Sequence, residues 1–347
     1  MQKNYFNFNN SINYFFIVAR GRYLNDICNI FGAISLNKQF KFQPILIQDN
    51  YPKNYFIFKY FGLKENKFIF SYYKIFNNLP LLLFSFINTF KCIYNLHLNG
   101  FAWLINEFSI KNIIIGDLIY DTYIRNDHRY TSPKIDLAFS NIIFKACYRT
   151  LKLEKLTQIY RPKLILIGTD GYAYNSGIMM RIGLKNKIKV YEIRLNHLIE
   201  VQNFKKKFGS DHLRIIYKDK NYDLNKKKIL NHYDYKKKNK KKIIPYMSTD
   251  TLYLANKNKY KNKKKIFSQL KINDEIKNYD KIILIASHAF SDAPHVTGYQ
   301  IFRDFYNHMH ETLNFICHTK FDKNILWILR EHPASFLYKE KKIFKNL

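Results

Sequence analysis

The sequence predicts an α/β protein, and three observations carry the prediction. Short apolar runs of strand length alternate with longer segments whose apolar residues recur at helical spacing. The alternation fills the first 200 residues, and it resumes after an interruption rich in lysine. Hydrophobic residues make up 47% of the chain and aromatics 17%, which points to a folded, globular protein and against disorder.

The strands are read in order at residues 42–48 (FQPILIQ), 112–116 (NIIIG), 162–168 (PKLILIG) and 186–193 (NKIKVYEI). Between the second and third, residues 136–160 place Leu137, Phe139, Ile142, Ile143, Ala146 and Cys147 at helical spacing. A second unit begins at residue 281 with KIILIASH, continues through a helix from about residue 299 to 318, and returns as the strand NILWIL at 324–329. Strand, crossover and strand make one right-handed βαβ unit. These runs predict an N-terminal α/β domain over 1–204, a lysine-rich linker or exposed segment over 205–279, and a C-terminal α/β domain over 280–347. One βαβ unit cannot cover both faces of a parallel sheet. The C-terminal domain is therefore expected to be incomplete, either truncated or completed by another subunit.

The net charge is +32, from 58 Lys and Arg against 26 Asp and Glu. Such an excess points to an anionic partner, nucleic acid or a membrane surface. It also accompanies the Asn, Ile, Phe and Tyr enrichment that an A+T-rich gene supplies. Blocks such as KKKNKKK at 236–242 repel and stay solvated, as a linker would. Cys28, Cys92, Cys147 and Cys317 form no CxxC pair, so the spacing suggests neither a zinc site nor a disulfide framework. The apolar run at 14–19 is too short for a signal-peptide core, and the run LPLLLFSFI at 79–87 is far short of the ~20 residues of a membrane span. A cytoplasmic protein that touches a membrane surface is expected.

Four groups can carry chemistry. After the strand at 162–168 come Thr169, Asp170, Gly171, Tyr172 and Tyr174, then a helix; Asp170 can serve as a base toward a hydroxyl, although Asp-Gly is also ordinary turn chemistry. In GDLIYDTYIR, Asp117, Asp121 and Arg125 share one helical face, where Asp121 and Arg125 can simply pair. The loop SHAFSDAPH gathers Ser287, His288, Ser291, Asp292 and His295 beyond a strand's carboxyl end, the usual ligand position in an open α/β sheet. Its irregular spacing matches no standard metal signature, and phosphate or sugar recognition suits its short donors better. Finally, the strand at 324–329 empties into Arg330, Glu331, His332 and Pro333. No P-loop, GxSxG or HExxH is present.

The segments GDLIYDTYIR, TDGYAYNSGIMMRIGL, SHAFSDAPH with FRDFYNHMHETL, and WILREHPAS together resemble, in that order, bacterial capsule and lipopolysaccharide biosynthesis proteins related to GT-B glycosyltransferases. The resemblance runs from about residue 20 onward and is poor through the lysine-rich middle. It implies two Rossmann-like domains, an acceptor on the N-terminal side and a nucleotide sugar on the C-terminal side. His332 and Pro333 then look like the His-Pro motif that holds donor phosphate, assisted by Arg330, Ser287, His288, Ser291, Asp292 and His295. Asp170 looks like the general base, with Asp117, Asp121, Arg125 and Tyr174 on the acceptor side. No cofactor or metal is implied beyond the nucleotide sugar itself. Family members continue well past His-Pro, which is the departure behind the expected truncation and would leave the chain inactive alone. The competing expectation is a basic protein that binds nucleic acid or another polyanion through residues 205–265, without enzymatic activity.

Overall fold

The computed structural model describes residues 13–19, 23–48, 55–63, 66–68, 78–126, 129–131, 135–168, 172–194, 197–201, 275–295, 301–321, 323–332, 335, 338, 340 and 343. The fold is α/β with a sheet dominated by parallel strands. The chain divides into two compact units, one built from 1–127, 132–215 and 293–301, the other from 128–131, 216–292 and 302–347. The lysine-rich segment lies outside the described residues except for its last few positions.

The first unit holds a six-stranded sheet. In chain order its strands are β1 (Tyr14–Val18), β2 (Gln43–Gln48), β3 (Asn66–Phe68), β6 (Leu164–Gly168), β7 (Lys189–Arg194) and β8 (His197–Val201). In space they run β3-β2-β1-β6-β7-β8, parallel except for β8, which turns back against β7. The short apolar run at 14–19 is thus the central strand. It was the least conspicuous strand in the sequence, and the sheet forms on both sides of it.

Both faces of the sheet are covered, so the strands are apolar on both sides. Phe16, Val18, Ile45, Ile47, Ile165 and Ile167 face a core shared with α3 (Leu79–Glu107), α4 (Gly116–Asn126), α5 (Leu137–Tyr160) and α6 (Asn175–Lys185). Their alternate neighbours Phe15, Ile17, Leu46, Leu164 and Leu166 face α1 (Tyr23–Phe40) and α2 (Tyr55–Tyr60). That alternation is the period of two that a pleated strand imposes. The helix expected at 136–160 is α5. Asp136 caps it by accepting the Phe139 N–H at 2.8 Å, and Arg161 ends it in a left-handed conformation.

Two expectations are corrected. Residues 112–116 do not join the main sheet. Lys111 and Asn112 both have positive φ, which folds β4 (Ser109–Ile110) tightly back onto β5 (Ile113–Ile114) as a separate antiparallel pair. The apolar run at 79–87 is not an isolated short segment either, because it opens the 29-residue helix α3.

The second unit contains β9 (Lys281–Ala286) and β10 (Ile325–Arg330), parallel and in register from Lys281 with Ile325 to Ala286 with Arg330. The crossover helix α7 (Phe305–His318) starts later than its apolar pattern suggests, because Asp304 caps it through the Asn307 N–H at 2.7 Å. Phe290, Met309 and Ile343 form its small core with Ile285, Phe305 and Tyr306.

Gly116, at the start of α4, is required by close approach: a Cβ there would collide with the Leu104 carbonyl oxygen of α3, which is backbone and cannot step aside. Gly116→Ala is expected to cost about 2–3 kcal/mol, read as a melting temperature lowered by roughly 5–10 °C. An unchanged melting temperature would show that α3 and α4 are less tightly joined.

Candidate functional site

In the first unit, β1 and β6 are neighbours, and the connections that leave them run to opposite sides of the sheet. Ligands of open α/β sheets bind outside the carboxyl ends of the strands at this reversal. Thr169, Asp170 and Gly171, which follow β6, lie outside the described residues, so the expected base has no described geometry. Their downstream continuation is held firmly. The Ala173 N–H donates to Thr122 Oγ1 at 2.8 Å, Arg149 donates to the Ala173 carbonyl at 3.0 Å, and the Tyr174 hydroxyl donates to Asn126 Oδ1 at 2.6 Å. Arg149 also lies 5.5 Å from the centroid of the Tyr174 ring. Thus α4 and α5 fix the chain as it enters α6.

Two buried carboxylates stand on α4, each with a close partner. Asp117 is gripped by the two terminal guanidinium nitrogens of Arg181 at 2.6 Å, and Arg181, on α6, is fully buried. Burial works to raise the Asp117 pKa, but the Arg181 charge and its hydrogen bonds outweigh it and hold the carboxyl below the usual range. One turn on, Asp121 accepts from His295 twice, from Nδ1 at 2.6 Å and from the backbone N–H at 3.1 Å. Burial pushes Asp121 up to about 6, against the opposing pull of His295. The Tyr120 ring meets the imidazole edge-on, with centroids 5.8 Å apart.

His295 therefore departs from its expected place among the donor-side residues. The segment 293–301 folds with the first unit, and a buried carboxylate on α4 is what holds its histidine. The expected i, i+4 partner of Asp121, Arg125, is half-buried one turn further along α4. Arg181 escaped the sequence reading because it sits within the apolar helical pattern GIMMRIGL and looks like one polar residue of an amphipathic helix.

In the second unit, the ends of β9 and β10 bring Ser287, His288, Arg330 and His332 together. The Ser287 N–H donates to the Arg330 carbonyl at 2.9 Å, and Ser287 Oγ accepts the His332 N–H at 3.0 Å. The rings of His288 and His332 stack with centroids 5.5 Å apart, and Phe305 of α7 stacks on the other neighbour, His288, at 4.1 Å. The His332 pKa is lowered, first by burial and then by His288, with Asp292 acting the other way. The imidazole is thus neutral near pH 7. Beyond it, the Ser335 N–H donates to the His332 carbonyl and the Ser335 hydroxyl to Glu331, so the turn is closed on itself. Pro333 lies outside the described residues.

Ser291 is not a free donor. Its N–H and hydroxyl both donate to Glu340 Oε1 at 2.8 Å, an anchor the sequence reading missed because Glu340 lies 49 residues away in a basic stretch. Among the described residues no three His, Cys, Asp or Glu side chains converge as metal ligands. No family model, curated protein or solved structure matches the chain.

The two carboxylates on α4 should titrate with opposite sign. Asp117, with its lowered pKa, contributes stability above the ordinary carboxylate range that is lost as pH falls through its folded value. Asp121 contributes stability that is complete below its unfolded pKa and is lost as pH rises through about 6. Urea unfolding of the wild type and Asp121→Asn between about pH 4 and pH 7 should show the wild type losing ground to the variant as pH rises. A difference independent of pH would contradict the raised pKa.

Proposed function

We propose that the chain is a glycosyltransferase of surface polysaccharide assembly, capsule or lipopolysaccharide, with a GT-B-like arrangement of two Rossmann-like domains. It transfers a sugar from a nucleotide donor to a glycan or lipid-linked acceptor at the cytoplasmic face of the membrane. The observation that carries the reading is the pair of imidazoles at the carboxyl ends of β9 and β10, stacked at 5.5 Å and braced by Ser287. Neutral or protonated, such rings donate hydrogen bonds to phosphate oxygens. Arg330 is exposed at the end of β10 and can add a bidentate donor to the same diphosphate.

In this reading an acceptor hydroxyl attacks the anomeric carbon of the donor sugar. The bond from that carbon to the phosphate oxygen breaks, and its electron pair leaves with the nucleoside diphosphate. His332, His288 and Arg330 offset the charge that develops on that oxygen. Asp170 takes the proton of the attacking hydroxyl. Tyr174, Arg125 and the paired carboxylates of α4 support the acceptor side. Asp117 and Asp121 act there by position, since their oxygens are committed to Arg181 and His295.

The test is calorimetric titration with a panel of nucleoside mono- and diphosphates. One of them should bind the wild type. His332→Ala should weaken it by roughly tenfold or more, about 1.4 kcal/mol, with the melting temperature unchanged. Undiminished binding by His332→Ala would overturn the site. Tight DNA or RNA binding that falls steeply with salt, in place of nucleotide binding, would favour a polyanion-binding protein.

A further inference from the structure

Helix α3 is apolar on both sides. Over its first five turns it buries Ser85, Thr89, Cys92 and Leu96, with Leu81, Leu82 and Ile93 partly buried against the same core. The hydroxyls of Ser85 and Thr89 are satisfied within the helix, by the carbonyls of Leu81 and Ser85. The opposite side carries Leu79, Leu83, Phe86, Phe90, Tyr94 and Leu98, each 51–70% exposed. Their spacing of three or four residues aligns them in one stripe about five turns long. A helix on the surface of a water-soluble domain keeps its outward side polar. Small residues at the helix contact with apolar ones outward is how helices pack when their surroundings are lipid.

We propose that this stripe of α3 is a membrane-docking surface that lies in the interface of an anionic bilayer. The helix does not cross the bilayer, because Cys92, Leu96 and Leu104 belong to the sheet core and tie it along the first unit. It is submerged along one side, in the plane of the interface. Gly100, at φ +70°, bends the helix just past the stripe and separates it from the partly buried Trp103 turn.

Charge selects lipid over other occupants. Residues 79–98 contain one lysine, Lys91, one histidine and no acidic residue. Lys91 is exposed, and so is Lys145 on α5, next to Phe144, whose ring packs 4.6 Å from that of Phe86. A bilayer with acidic headgroups accepts both the apolar stripe and these cations. A second copy of the chain also carries a net charge of +32, and like net charges oppose self-association. The surface is independent of the donor site and stands whether or not the chain transfers a sugar.

The test uses the full chain and vesicles of phosphatidylcholine with about 30% phosphatidylglycerol, read by flotation. The wild type should float with them. The double variant Leu83→Ser, Phe90→Ser should lose roughly tenfold or more of its partitioning at the same salt, with an unchanged melting temperature. As a check that does not rest on loss, Phe90→Trp should show a blue-shifted emission when the vesicles are added. Equal flotation of the double variant, no emission shift, or a dimer in sedimentation that the double variant abolishes would each overturn the proposal.

Discussion

Arg181 is a guanidinium with no solvent exposure, and a buried charge costs several kcal/mol unless a partner with good geometry repays it. Asp117 supplies that partner through two parallel hydrogen bonds, and the Ile114 carbonyl takes a third. One ion pair therefore joins α6 to α4 and to the end of β5. The orientation of α4 that it fixes sets the position of everything else on that helix: Asp121 beneath His295, Thr122 against the Ala173 N–H, and Asn126 against Tyr174. Ala173 and Tyr174, at the entry to α6, are held by these contacts. Gly116 permits the whole arrangement, since only a residue without a Cβ lets α4 start so close to Leu104.

The second unit solves a similar problem with fewer parts. Two parallel strands end at the same level, and the Ser287 backbone and hydroxyl bridge them. Asp304, which caps α7, also accepts from Thr131, so the entry to the crossover helix is tied on both sides. Phe305 opens that helix and stacks on His288, which places the helix start beside the paired imidazoles. Ser291 and Glu340 close the loop from the other end. Short polar side chains brace the backbone here, beside the stacked rings of His288 and His332.

Much of the fold was legible in the sequence because burial on both faces makes parallel strands continuous apolar runs, as in β2 and β6, and β9 and β10 have the same apolar composition although Ile282, Leu284 and Leu329 are exposed. The central strand β1 was harder to see, being five residues long beside a polar, Asn-rich beginning. Residues 112–116 have the composition of a strand, and what removes them from the sheet is a turn at Lys111 and Asn112 that composition does not encode. The site was legible in part. Ser287, His288 and His332 do meet, because register brings consecutive parallel strand ends together. His295 was assigned by its neighbours in sequence, whereas its partner, Asp121, stands 174 residues away. Long-range pairing of this kind has no local signature, and the same holds for Asp117 with Arg181. The exposure of α3's apolar stripe was also hidden, since the run at 79–87 reads equally well as core.

The central claim is that the paired imidazoles form an anion site for a nucleoside diphosphate, and histidine ring NMR tests it most directly. On titration of uniformly labelled protein with each nucleotide of a panel, the ring resonances of His288 and His332 should move together and saturably for one of them. Those of His295, held by Asp121, should stay in place. Histidine resonances that do not move with any nucleotide, or that all drift alike, would contradict the account.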